Sequence, residues 1–252
     1  MPRPKSLASV GSVVSGDCIE MMAAYDAGFF DACIADPPYG MIRKGLAGGK
    51  YTSHVTTSDL DHFSSMAQYL EFTERWIEQM VRVVKPNGNL FIWCNDSNRR
   101  YTENELSDRH KRKLINSIVW YKPNAQPNVT KRTLQHSHEY ILWYVNGKSH
   151  WHFDYEMSKQ IGGGKQLPDV WSLPYIHHTK RLHKNEKPVE LLERLLLFGT
   201  RPGDLVLDPF AGSGSTGEAC IDNNRRFVLI EKDPDAVRMA MGRLHNLHEI
   251  PN

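Results

Sequence analysis

The chain has 252 residues, 40% hydrophobic and 24% charged, with 31 Lys and Arg against 29 Asp and Glu. These globular proportions exclude disorder, collagen and coiled coil, and a length near 250 fits one large α/β domain with an insertion better than two equal domains. No run of about 18 apolar residues occurs and none follows the opening Met1-Pro2-Arg3-Pro4-Lys5, so neither membrane span nor signal peptide is expected and the expected compartment is the cytoplasm.

In chain order, the spacing predicts a strand over 12–15, a helix over 18–25 and a short buried strand over 32–35, together a βαβ unit. Residues 41–58 carry Gly and Lys without periodicity and read as a mobile loop. Tyr69, Phe72, Trp76, Met80 and Val83 recur at helical spacing through 66–84, and Lys85-Pro86-Asn87-Gly88 reads as the stop before a strand over 90–93. A charged helical stretch follows, then β-like runs over 114–121 and 140–145. From 146 to 182 the chain is aperiodic, rich in Gly, Pro and His, and reads as an insertion. The last quarter alternates again: helix 188–198, strand 205–207, helix 215–221, strand 227–230, helix 234–247. Such alternation predicts a doubly wound, mostly parallel sheet whose ligands sit beyond the carboxyl ends of the strands.

Cys18, Cys33, Cys94 and Cys220 form no C-x-x-C pair and read as reduced thiols in a core. His136-Ser137-His138-Glu139 and His177-His178 lack a third and fourth ligand at a recognisable spacing, so no metal is expected, and His138 and Glu139 are placed at the start of a strand. Gly162-Gly163-Gly164-Lys165 lacks the Ser or Thr of a phosphate loop and reads as flexible. Charge is segregated, with 16 Lys and Arg against 8 Asp and Glu between Ser97 and Pro188, interleaved with Trp120, Tyr121, Trp143, Trp151 and Trp171. That mixture suits a polyanion carrying stackable bases, although a solvated helix face over a core would give the same counts.

Two strand-end motifs carry chemistry. In Asp36-Pro37-Pro38-Tyr39-Gly40 the residue before proline is held extended, which continues the strand and projects the carboxylate from its edge, while two prolines remove two backbone donors. The result is a rigid set of acceptors beside an aromatic ring, matched to a planar aromatic amine; a plain tight turn is the alternative. In Leu207-Asp208-Pro209-Phe210-Ala211-Gly212-Ser213-Gly214-Ser215-Thr216-Gly217 a strand enters a G-x-G-x-x-G turn and a helix, with Glu231 at the end of the next strand. This is the context of a nucleoside-binding fingerprint, open to NAD and to S-adenosylmethionine. Against NAD, 21 residues after Glu231 are too few for the remaining strands of a dinucleotide fold, and the Asp-Pro-Pro-Tyr motif has no role in hydride transfer.

Together, and in this order, the two motifs resemble the amino-group DNA methyltransferases of the permuted β group, over nearly the whole chain. Gly16-Asp17-Cys18 is similar to the family's acidic motif, and His183-Lys184-Asn185-Glu186-Lys187-Pro188 to the segment before its cofactor loop, with Lys184 and Asn185 departing from the usual His-Pro-Thr. The resemblance implies a seven-stranded methyltransferase sheet, one domain over 1–252, and a target-recognition insertion over 146–182. It implies S-adenosylmethionine as cofactor, held by Asp17, Cys18, Asp36, Lys187, Asp208, Pro209, Phe210, Gly212, Ser213, Gly214, Ser215, Glu231 and Lys232. Asp36, Pro37, Pro38 and Tyr39 are then catalytic: Asp36 and the Pro37 carbonyl take the amine hydrogens of a flipped base, and Tyr39 stacks on it. Arg43, Lys44, Lys122, Lys131, Arg132, Lys159, Lys165, Lys180 and Arg181 are candidate contacts to double-stranded DNA. The family pairs Asp-Pro-Pro-Tyr mainly with N6 of adenine; N4 of cytosine, or a non-catalytic DNA-binding homologue, are the alternatives. A homodimer and a partner restriction endonuclease are candidate associations, in a bacterial, phage or mobile-element setting.

Overall fold

The computed structural model describes residues 11–42, 62–128, 131–176 and 186–248. Strand β1 (Gly11–Ser15) leads into helix α1 (Cys18–Ala23), which Asp17 caps by accepting the Ile19 N–H at 3.0 Å. Strand β2 (Phe30–Ala35) follows, then the short β3 (Met41–Ile42), paired parallel with β4 (His62–Phe63). The mobile-loop expectation otherwise falls on residues 43–58, outside the described chain. Helix α2 (Met66–Val83) starts where Ser65 accepts the Gln68 N–H at 3.2 Å, and its Tyr69, Trp76, Ile77 and Met80 are buried.

The stop after α2 differs from its expected form. Helix geometry does end at Val83, yet Lys85-Pro86-Asn87-Gly88 lies inside strand β5 (Val84–Cys94). Phe30 pairs with Val84 and Ala32 with Asn89, so the intervening residues bulge out of register, with Asn87 at φ 65°. A bulge reads like a turn in sequence because both use the same residues. Helix α3 (Arg99–Glu103) then runs into a π-helical stretch (Asn104–Arg109), and β6 (Lys113–Tyr121) and β7 (His138–Val145) form an antiparallel pair. The expected placement of His138 and Glu139 at a strand start is met.

The segment from 146 is not structureless. Asp154 caps α4 (Tyr155–Ile161) by accepting the Met157 N–H at 2.8 Å, and β8 (Val170–Ser172) adds to β6. The glycines at 162–164 close α4 in a bonded turn, Gly164 N–H reaching the Lys159 carbonyl at 2.8 Å, where a flexible stretch was expected. The chain ends in α5 (Val189–Gly199), β9 (Leu205–Asp208), α6 (Ser215–Asp222), β10 (Arg226–Glu231) and α7 (Pro234–His248).

The main sheet has eight strands in the order β1-β10-β9-β2-β5-β7-β6-β8, with β7 alone antiparallel; the three-residue β8 is the addition to the expected seven. Alternate side chains of β2 and β5 feed opposite faces. Cys33, Ala35, Leu90 and Ile92 meet α1 and α2, whereas Ile34, Phe91 and Trp93 meet α5 and α6. All four cysteines are free and buried in these layers. The neighbours β2 and β9 send their connections to opposite sides of the sheet, which opens a crevice at their carboxyl ends. No described helix is long and apolar enough to cross a membrane.

Candidate active site

Cys33 pairs with Leu207, so the strand ending at Asp36 lies directly beside the strand ending at Asp208, and both open on one cleft of about 1190 Å3. Asp17, Cys18, Asp36, Pro37, Pro38, Tyr39, Lys122, Lys187, Asp208, Pro209, Phe210, Gly212, Ser213, Ser215, Glu231 and Lys232 all line it. Residues 172 apart in sequence thus share one rim, as the two motifs require. Gly214 lies behind the lining, at φ 83° with Ala240 3.0 Å from where a Cβ would stand, so glycine is needed to start α6 there. Gly40 is fixed in the same way: at φ 70° an added Cβ would lie 2.8 Å from the Tyr69 ring. That turn carries the chain away from Tyr39 and closes the acceptor set.

On the Asp-Pro-Pro-Tyr side, Asp36 Oδ1 accepts the Tyr39 hydroxyl at 2.8 Å, and Oδ2 lies 2.9 Å from Lys187 Nζ. Lys187 also donates to Glu139 Oε2 at 3.0 Å, and Lys122 closes the chain on Glu139 Oε1 at 2.9 Å. Trp120 lies within 5.4 Å of the Lys122 ammonium and 5.8 Å of Lys187. Two carboxylates and two ammoniums balance, which is what lets four charged groups stand so close in a half-buried pocket. Burial pushes the Asp36 carboxyl above its ordinary range; Lys187 pulls it back and Glu139 pushes it up again. Burial acts on Glu139 in the same sense, but Lys187 and Lys122 overcome it and hold that carboxyl at about 2, a permanent anion. Burial alone would lower Lys187, yet Asp36 and Glu139 raise it, so it stays charged.

On the glycine side, Asp208 Oδ1 accepts the Phe210 N–H at 2.9 Å and Oδ2 the Thr216 hydroxyl at 2.5 Å; burial still lifts its carboxyl to about 7. Glu231 Oε2 accepts the Gly212 N–H at 2.8 Å, and Oε1 accepts the Lys232 and Asp233 N–H groups at 2.7 and 2.8 Å. This carboxylate therefore shapes the glycine turn and retains lone pairs for a diol. Phe210 packs edge-on against Trp76 at 5.3 Å and forms an apolar shelf. Asp17, already the cap of α1, pairs with Lys232 at 3.3 Å. Two buried polar atoms on the lining have no protein partner, Ser213 Oγ and Trp93 Nε1. With Asp17, Asp208 and Glu231 on the same lining as Ser213, this side offers an anionic, partly unsatisfied cradle that fits a cationic nucleoside.

Lys187, expected on the cofactor, lines the cleft bound to Asp36 and Glu139, and Lys122, expected on DNA, lines it bound to Glu139. Lys131 and Arg132 are exposed on the β6–β7 connection. Lys159 pairs with Glu156 on α4, and Lys165 is exposed beyond it. Arg43, Lys44, Lys180 and Arg181 lie outside the described residues. Glu139, weighed as a metal ligand, Trp120, noted among the basic-segment aromatics, and Trp93 all line the cleft without having been expected there, because only their strand neighbours bring them to it.

The N6/N4 DNA methylase family matches residues 30–242. The type II methyltransferase M2.DpnII of Streptococcus pneumoniae is 33% identical over 245 residues, covering 94% of this chain and 90% of that protein. M2.MboI of Moraxella bovis, also a type II methyltransferase, is 31% identical over 242 residues, covering 94% and 88%. Among solved structures, the complex of M1.HpyAVI with S-adenosylmethionine superposes with a TM-score of 0.68 at 26% identity, covering 93% of this chain and 98% of that one.

Proposed function

The chain belongs to the N6/N4 DNA methylase family, and from that membership we propose that it moves a methyl group from S-adenosylmethionine to N6 of an adenine flipped out of double-stranded DNA at a specific site. At the coarser level it is a type II DNA methyltransferase. The observation that carries methyl transfer to an exocyclic amine is the meeting of Asp36 and the glycine turn on adjacent strand ends over one cleft.

The cofactor supplies a methyl group made electrophilic by its sulfonium. Ser213, Gly212, Ser215 and Phe210, which line the cleft, would hold it, with Asp17, Glu231 and Lys232 meeting its polar groups and Asp208 bonded into the turn at Phe210 and Thr216. An exocyclic amine conjugated to its ring is a poor nucleophile. Asp36 accepts a hydrogen bond from one amine N–H and the Pro37 carbonyl, free of any competing backbone donor, accepts one from the other, which lets the nitrogen pyramidalise and aim its lone pair; the one proton that the methylated nitrogen sheds passes to Asp36 and on to water. Tyr39 gives up its bond to Asp36 as the amine arrives, and its ring turns onto the base. Lys187, held between Asp36 and Glu139, fixes the carboxylate throughout.

Adenine rather than cytosine rests on the Asp at the head of Asp-Pro-Pro-Tyr; N4-cytosine transfer is the second reading. Residues 146–182 are the proposed target reader within one domain, and the type II relatives support a partner restriction endonuclease. A homodimer is proposed because the reading segment is short. To test the chemistry, bacterial DNA is incubated with the purified protein and labelled S-adenosylmethionine, then digested to nucleosides. Label in N6-methyl-2'-deoxyadenosine is expected; label in N4-methyl-2'-deoxycytidine alone would overturn the adenine assignment, and no label would overturn methyl transfer.

A further inference from the structure

The connection between β6 and β7, described over 122–128 and 131–137, leaves β6 at the rim that bears Asp36, since β6 runs parallel to β2 and Ala125, Gln126 and His136 line the cleft. It is braced. Lys122 N–H meets the Ser137 carbonyl at 2.7 Å, and Asn124 exchanges two bonds of 2.9 Å with the Tyr175 backbone, beyond β8. On this braced arm Leu134 is 91% exposed, whereas the next most exposed large apolar side chain, Val170, is 55% exposed. A leucine left in water contributes nothing to the fold and foregoes what burial would give it. Beside it Lys131 and Arg132 point outward, and among the described residues neither makes an ion pair.

We propose that Leu134 is a wedge that enters the base stack of duplex DNA when the target base leaves it, with Lys131 and Arg132 seated on the flanking phosphates. The inference rests on the methyl-transfer reading above. Turning a base out leaves an apolar gap between its stacked neighbours, and a side chain that fills the gap slows the base's return. The arm's brace fixes the leucine relative to Asp36, so that one docking event both opens the stack and delivers the amine.

The test compares the wild-type protein with Leu134→Ala and Leu134→Met on bacterial genomic DNA, native and heat-denatured, by labelled methyl incorporation. Leu134→Ala is expected to lose about tenfold in kcat/KM on native duplex and less than about twofold on denatured strands, with Leu134→Met restoring the duplex rate. An unchanged duplex rate would overturn the proposal. So would an equal loss on both substrates; if sedimentation then showed a dimer broken by the same variant, the leucine would be a subunit contact. Wild-type protein that labels denatured strands but no duplex would remove the need for a wedge, and no label in either would bring down the methyl-transfer reading itself.

Discussion

Asp36 sits between opposing pulls, and its neighbours decide how strong an acceptor it is. Glu139 shares Lys187 with it, so Lys187 steadies the carboxylate without quenching it. In Glu139→Gln, Lys187 turns wholly to Asp36 and the repulsion from Glu139 disappears; both changes lower the Asp36 pKa. The acid limb of the pH–rate profile should therefore move to lower pH while kcat falls about tenfold, and a limb that stays in place would show Glu139 to be inert. Asp36→Asn should cut kcat by roughly 10²–10³ with cofactor affinity unchanged by equilibrium dialysis. Asp36 was legible because its prolines announce it. The sequence marks Lys187 for the cleft but not its pairing with Asp36 and Glu139; Lys187 lies 148 residues from Tyr39 and Glu139 lies 100 from it, and what joins them is strand order and not spacing.

The junction of β9 with α6 shows how an element end stores a pH dependence. The Asp208 carboxyl titrates at about 7 in the folded chain against 3.8 ordinarily, burial being the main cause. A raised acid favours the folded state most when protonated, so the stabilisation is full below about pH 4 and is lost as pH rises through about 7. Asp208→Asn should remove that slope, on the order of 2–4 kcal/mol across the window, seen as a Tm that no longer falls between pH 4 and 7. Elements with strong periodicity, α2, α5 and α7, were legible to within a residue or two of their ends. Helix α4 was not: seven residues give barely two turns of periodicity, and its one usable mark, Asp154 three residues before Met157, looks like any surface acid. Strand β8, three residues long, depends on β6 for its existence.

For the molecule as a whole, near-neutral net charge conceals a basic middle segment grafted on a more acidic frame. DNA affinity should fall steeply with salt. Replacing Lys131 and Arg132 together by Ala should reduce the slope of log affinity against log salt by about 2, measured by fluorescence anisotropy on duplex DNA; an unchanged slope would place both side chains away from phosphate. The doubly wound class followed from alternation of strands and helices, whereas the antiparallel β7 and the outer β6–β8 edge did not, since direction leaves no trace in a strand's own residues. Order in the sheet also bears on biosynthesis. Strand β1 is made long before β10, which among the described residues is its one sheet neighbour, and Asp36 waits in the same way for the turn after β9. A chain made only as far as β8 therefore lacks the strand beside β1 and the glycine turn beside Asp36, and such a truncation is expected to transfer no methyl group.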